Sequence, residues 1–242
     1  EYLDALASDL HQAALTVQTV VPYGEPAEWI VAEARQREVD LIAMATGCRT
    51  GLGGWWHRSV TKRVIAQSPV PVLLVCGDEL LREMAPFDER PRLMVPLDGS
   101  PSSERALPVA TQLSTELSGA LVLMRIVPSA EPIEWVYGHE AVELFGVQGE
   151  IEDLKIEAEE YLRIVAERLA EEDVDTRTEV CSGARAECVR DTSRRHGVSL
   201  VVLCTDTDDR SSSLVEQLRP TGMPLLLVPH PVHETCTSAE GT

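Results

Sequence analysis

From residue 92 onward the chain alternates short, wholly apolar runs with longer segments whose apolar residues recur three and four apart. The runs fall at 93–97, 120–127 (ALVLMRIV), 176–180, 199–203 (SLVVL) and 225–228. Between them, helical spacing predicts helices over 103–118, 152–172, 185–196 and 213–218; in the second of these Leu154, Ile156, Ala158, Tyr161, Leu162, Val165 and Leu169 share the period. Strands apolar on both faces, separated by amphipathic helices, predict an α/β fold built on an open, doubly wound parallel sheet. The connection from Pro128 to Gly149 carries Trp135, Tyr137, His139 and Phe145 and reads as a surface loop folded on its own aromatic cluster.

The pattern repeats. Glu1-Tyr2-Leu3 recurs as Glu160-Tyr161-Leu162, Gly24 with Ala27-Glu28 as Gly183 with Ala186-Glu187, and Val39-x-Leu41 as Val198-x-Leu200, all at an offset of 159. Fourteen of the first 46 positions are identical at that offset without a gap, which marks a duplicated unit. The run from Pro71 to Val75 matches Pro224 to Val228 at an offset of 153, so the second copy is six residues shorter after Thr205. Residues 1–78 thus read as the latter half of a first copy, 79–91 as a linker, 92–230 as a complete second copy and 231–242 as a disordered tail. Within the first copy strands are expected near 17–21, 40–44 and 70–75, and a chain that lacks the first half of that copy is the expected explanation for the missing elements.

Composition narrows the class. Of the 242 residues 44% are hydrophobic and 25% charged, the proportions of a globular protein. Asp and Glu number 40 against 21 Lys and Arg, a formal charge of −19 that opposes nucleic acid and anionic membrane surfaces. No apolar stretch reaches the ~18 residues of a membrane span, and the opening residues have no basic n-region, so a cytoplasmic location is expected. The six cysteines form no CxxC pair and read as free thiols rather than zinc ligands or a disulfide, with Cys76 and Cys204 as small buried hydrophobes. None of the six His has a Ser or Cys partner at motif spacing, so no enzymatic activity is expected. Trp55-Trp56-His57 reads as a contact patch or as helix-to-sheet packing.

These features together resemble the universal stress protein family. The resemblance rests on Val95-Pro96-Leu97-Asp98-Gly99-Ser100 with Glu104-Arg105-Ala106-Leu107, on Tyr161-Leu162, on Gly183 with Ala186-Glu187, and in the first copy on Val39 to Met44, Arg49 to Leu52, Ser59-Val60 and Ser68 to Val75. It implies five-stranded sheets in the order 3-2-1-4-5 in tandem, with strands 1 and 2 of the first copy absent from this sequence. It also implies pairing of strand five across a two-fold axis, here the strand from Val70 to Val75 with that from Leu225 to Val228, either within the chain or in self-association.

In nucleotide-binding members of that family the loop after strand four reads G-x2-G-x9-G-[ST], because glycines let backbone amides approach phosphate oxygens. The corresponding glycine positions of the first copy are Ala45, Cys48 and Arg58, followed by Ser59; Thr46 also lies in this loop. In the second copy the loop after Thr205 contains Asp206, Asp208 and Asp209 and no glycine. At an effective dielectric near ~20 each carboxylate would oppose a phosphate 4 Å away by roughly 4 kcal/mol. The aspartates read as a solvated acidic turn that caps the next helix, rather than as a cation site. Asp98, with Gly99, Ser100 and Val127, matches the remaining nucleotide positions, and Asp98 resembles the adenosine-contacting aspartate. ATP or AMP is therefore disfavoured and no cofactor is expected. The expected function is a non-catalytic scaffold or regulator of the stress response acting through protein contacts; the alternative is an ATP or AMP sensor using Asp98 and an altered phosphate loop.

Overall fold

The computed structural model of the chain describes residues 2–46, 60–76, 90–129, 144–205, 209–218 and 221–229. Its elements are α1 (Tyr2–Gln12), α2 (Pro26–Gln36), β1 (Ile42–Thr46), α3 (Val60–Gln67), β2 (Val72–Cys76), β3 (Arg92–Pro96), α4 (Pro101–Glu104), α5 (Ala106–Glu116), β4 (Ala120–Val127), α6 (Leu144–Ala170), β5 (Thr176–Ser182), α7 (Arg185–His196), β6 (Val198–Thr205), α8 (Asp209–Leu218) and β7 (Leu225–Pro229). The expected linker at 79–91 up to residue 89, the tail at 231–242 and the Trp55-Trp56-His57 patch lie outside the described residues, as do Trp135, Tyr137 and His139.

One seven-stranded sheet runs in the order β1-β2-β7-β6-β3-β4-β5. Every pairing is parallel except β2 with β7, which is antiparallel, with Val72, Leu73 and Leu74 opposite Leu227, Leu226 and Leu225. The inner strands are largely apolar because both faces are covered, whereas the edge strand β5 is mostly polar. Met94, Val122, Met124, Val201, Leu203, Leu225 and Leu227 face one core with α2, α3, α7 and α8. Leu93, Val95, Leu121, Leu123, Val202 and Leu226 face the other, closed by α5 and α6. Alternate residues of each strand go to opposite cores, as the pleat requires.

Several boundaries differ from expectation for identifiable reasons. The helix expected over 103–118 is split at Arg105, because Pro108 has no N–H to bond the carbonyl of Glu104. Helix α6 begins at Leu144, so Phe145 lies in a helix rather than in a loop. Residues 17–21 form no strand. In the second unit the equivalent β5 pairs along β4, whereas among the described residues no strand pairs with 17–21, and Val20 and Val21 are exposed. Cys181 and Cys188, expected as free thiols, are joined as a disulfide; strand, turn and helix bring their Cα atoms to 5.9 Å. Cys204 is buried at the end of β6. No helix among the described residues is long and apolar enough to cross a membrane.

Candidate functional site

The crevice of an open α/β sheet lies beyond the carboxyl ends of its strands. At the end of β3 the chain turns through Leu97, which is buried, into Asp98, Gly99 and Ser100. Asp98 Oδ1 accepts the Ser100 N–H at 2.9 Å, and Ser100 Oγ accepts the Ser103 N–H at 3.1 Å, capping α4. Ser103 Oγ donates to the Ser100 carbonyl at 2.9 Å and accepts the Asp98 N–H at 3.3 Å. Burial is the largest single influence on Asp98 and pushes its pKa up, but the hydrogen bonds from Ser100 and Ser103 together outweigh it and hold the carboxyl below its usual range. The turn is a closed hydrogen-bonded unit around an ionised carboxylate. Gly99, at φ +85°, occupies the left-handed region that favours glycine.

Beneath this turn lies a polar chain that the residue pattern did not reveal. Arg125 is the single charged residue of β4 and shares its parity with the buried Leu121 and Leu123. A Cβ on Gly99 would stand 3.1 Å from Arg125 Nη1. The guanidinium lies 5.0 Å from the ring centre of Tyr161, and its Nη2 is 3.6 Å from Glu157 Oε1. The Tyr161 hydroxyl donates to Glu104 at 3.0 Å, and Arg168 donates to the other oxygen of Glu104 at 2.9 Å. Burial first, and the Glu104 hydrogen bond second, push the Tyr161 pKa well above the ordinary phenol value, so Tyr161 stays a neutral donor. The sequence signal was present: one arginine in an otherwise apolar strand. Chemically the arrangement offers paired charges and a fixed loop.

The remaining nucleotide-like positions of the second unit lie at the same end of the sheet, on the strands flanking β3. Val127 is 4% exposed, and its carbonyl accepts the Gly183 N–H at 3.2 Å. Thr205 donates its hydroxyl to the Val228 carbonyl at 3.2 Å. Ala45 and Thr46 end β1, whose direction is opposite to that of β3, and Ala45 is exposed. The structure therefore does not bring them to Asp98. Arg58, Ser59, Cys48, Asp206 and Asp208 lie outside the described residues, and Asp209 is the first residue of α8. A separate groove of about 490 Å³ opens beside β1 and α2, lined among others by Val20, Pro22, Trp29, Val39, Leu41 and Ile42.

The description "Universal stress protein family" belongs to a family model that matches residues 1–75 and 89–210. No curated protein matches the chain. Among solved structures, a universal stress protein from Archaeoglobus fulgidus DSM 4304 superposes with a TM-score of 0.66 at 16% identity, covering 94% of this chain and 74% of that one. A functionally unknown protein from Pseudomonas aeruginosa PAO1 gives a TM-score of 0.57 at 13% identity, covering 94% and 76%. A putative universal stress protein from Pseudomonas aeruginosa UCBPP-PA14 gives 0.57 at 13%, covering 94% and 77%. At these identities the structural likeness concerns the fold alone.

Proposed function

This chain belongs to the universal stress protein family, and on that premise we propose that it is a non-catalytic scaffold or regulator of the stress response whose nucleotide loops have degenerated. One observation carries the reading: the nucleotide-like positions of the second unit that could offer polar contacts are engaged with the protein's own backbone. The Asp98 carboxylate closes its own turn, the Val127 carbonyl holds Gly183, and the Thr205 hydroxyl holds Val228. A ligand would compete with these bonds for the same polar groups, and such an exchange returns little net free energy. The loss of glycine at the three motif positions Ala45, Cys48 and Arg58, and the glycine-free loop sequence after Thr205, point the same way. The reading takes the chain as tandem copies, with strands four and five of the first represented by β1 and β2. It acts in the cytoplasm through protein contacts, without nucleic acid, membrane or cofactor.

Titration of the protein with ATP and with AMP in a calorimeter tests the proposal. The expected result is no heat of binding at millimolar nucleotide; micromolar affinity for either overturns it.

A second reading, a nucleotide sensor, is favoured by one feature. Asp98 is held ionised in a turn that rests on the cation of Arg125. Under that reading ATP or AMP raises the melting temperature, and Asp98→Ala abolishes the rise.

A further inference from the structure

The two units close the same turn by different chemistry. In the second unit β5 ends at Ser182, Gly183 follows at φ +138°, and α7 begins at Arg185. Cys181 on the strand and Cys188 in the first turns of the helix are linked across it. The repeat offset of 159 places Pro22 and Trp29 at the corresponding positions of the first unit, with Gly24 opposite Gly183. There the Trp29 indole N–H donates to the Tyr23 carbonyl at 2.5 Å and so spans the turn without a covalent bond. An indole strap does not depend on thiol oxidation, whereas a pair of thiols closes the turn only when oxidised.

The linked turn also touches the crevice. The Gly183 N–H bonds the carbonyl of Val127, the last residue of β4, two strands from the end of β6. Cys188 is 4% exposed and packs with Val189 and Met124 in the core, whereas Cys181 is half-buried and reachable from solvent. We propose that Cys181 and Cys188 form a reversible thiol–disulfide site, through which a hydroperoxide sets the rigidity of the β5–α7 turn at the edge of the crevice. In reducing cytoplasm a disulfide of this kind is transient and reports redox state rather than serving as a permanent staple.

The chemistry balances in two steps. The thiolate of Cys181 attacks one peroxide oxygen; the S–O bond forms, the O–O bond breaks, and the departing oxygen leaves as water (or as an alcohol from an alkyl hydroperoxide) after taking up a proton. The thiolate of Cys188 then attacks Cys181 Sγ, the S–S bond forms, and the sulfenic oxygen leaves as a second water. Two thiols have been oxidised and one peroxide reduced. A small thiol reductant reverses the change by two exchanges: attack on Cys181 Sγ releases Cys188 as thiolate, and a second reductant thiol releases Cys181.

The test uses the whole chain, equilibrated with dithiothreitol or with stoichiometric hydrogen peroxide, then alkylated, digested and mapped by mass spectrometry. The expected outcome is a Cys181–Cys188 cross-linked peptide after peroxide, two alkylated cysteines after dithiothreitol, and full interconversion. Closing a loop this short raises the melting temperature of the oxidised form by roughly 5–10 °C. Cys181→Ser and Cys188→Ala each melt near the reduced wild type and show no redox-dependent shift attributable to this pair. Amide exchange at Gly183 and Val127 slows on oxidation in the wild type alone. Mapping that finds both thiols free after peroxide, pairs either with another cysteine, or shows over-oxidation that dithiothreitol does not reverse overturns the proposal. Equal melting temperatures for the two wild-type forms do the same. The wild-type mapping decides the matter even if a variant fails to fold, and no arm of the experiment depends on nucleotide.

Discussion

Asp98 accepts from the backbone two residues ahead of it, and that local bond determines how its ionisation affects the fold. Its folded-state pKa is depressed, so its contribution is present above the unfolded value near ~3.9 and disappears as pH falls through the lower folded value. Asp98→Asn should therefore be less stable than the wild type by about 1 kcal/mol at pH 7, with the gap narrowing at an acid pH below the unfolded carboxylate value. Urea melts at the two pH values measure it; a gap that is constant with pH contradicts the assignment. Gly99→Ala should cost about 1–2 kcal/mol, because its φ is strained for an L side chain and its Cβ presses on the Arg125 guanidinium. Removing the guanidinium as well should relieve only the steric part, as a double-mutant cycle will show. The Asp98 turn was legible in the sequence because polar residues follow an apolar run directly. The polar chain beneath it was not. Glu157, Tyr161 and Arg168 share α6, but Gly99, Glu104 and Arg125 come from a turn, α4 and β4, and periodicity along one segment carries no information on contacts between segments. The cysteine pair escaped for a related reason: a spacing of seven matches no motif, and only the strand–turn–helix path makes it short.

At the scale of elements, the repeat in the sequence supplies its own control. Helix α1 and the matching stretch of α6 carry the same apolar stripe, Leu3, Leu6 and Leu10 against Leu162, Val165 and Leu169. In α6 these residues are 0%, 2% and 4% exposed; in α1 they are 36%, 42% and 44% exposed. A stripe of this kind predicts a helix in both places but does not determine what lies beneath it. In α6 that is β4 and β5, whereas α1 buries no residue. Leu162→Ala should accordingly cost about 2–5 kcal/mol and Leu3→Ala less than about 0.5 kcal/mol, measured by the same urea melts. Equal costs would mean that α1 is packed after all. The same asymmetry explains the strand expected at 17–21. Its residue types suit a strand, but a strand needs a neighbour's edge as well as a favourable composition. Where all neighbours were present, the elements followed the sequence closely: α7 spans the 185–196 predicted for it.

At the scale of the whole molecule, the first unit is held by the antiparallel ladder between β2 and β7, whose three residue pairs are all leucine or valine. Leu74 is 1% exposed there, so Leu74→Asp would bury an unpaired charge at a cost of several kcal/mol. Hydrogen exchange should then show loss of protection at 42–46 and 72–76, with 92–96 and 120–127 retained. Uniform loss throughout would mean that the two units fold as one. The ladder has another consequence, because it reverses strand direction once across a sheet about 29 Å wide. The strands on either side of it finish at opposite rims, so the molecule has two poles. The carboxyl end of β1 lies at one pole; Asp98 and the Cys181–Cys188 turn lie at the other. A body seated on one rim would leave the other accessible.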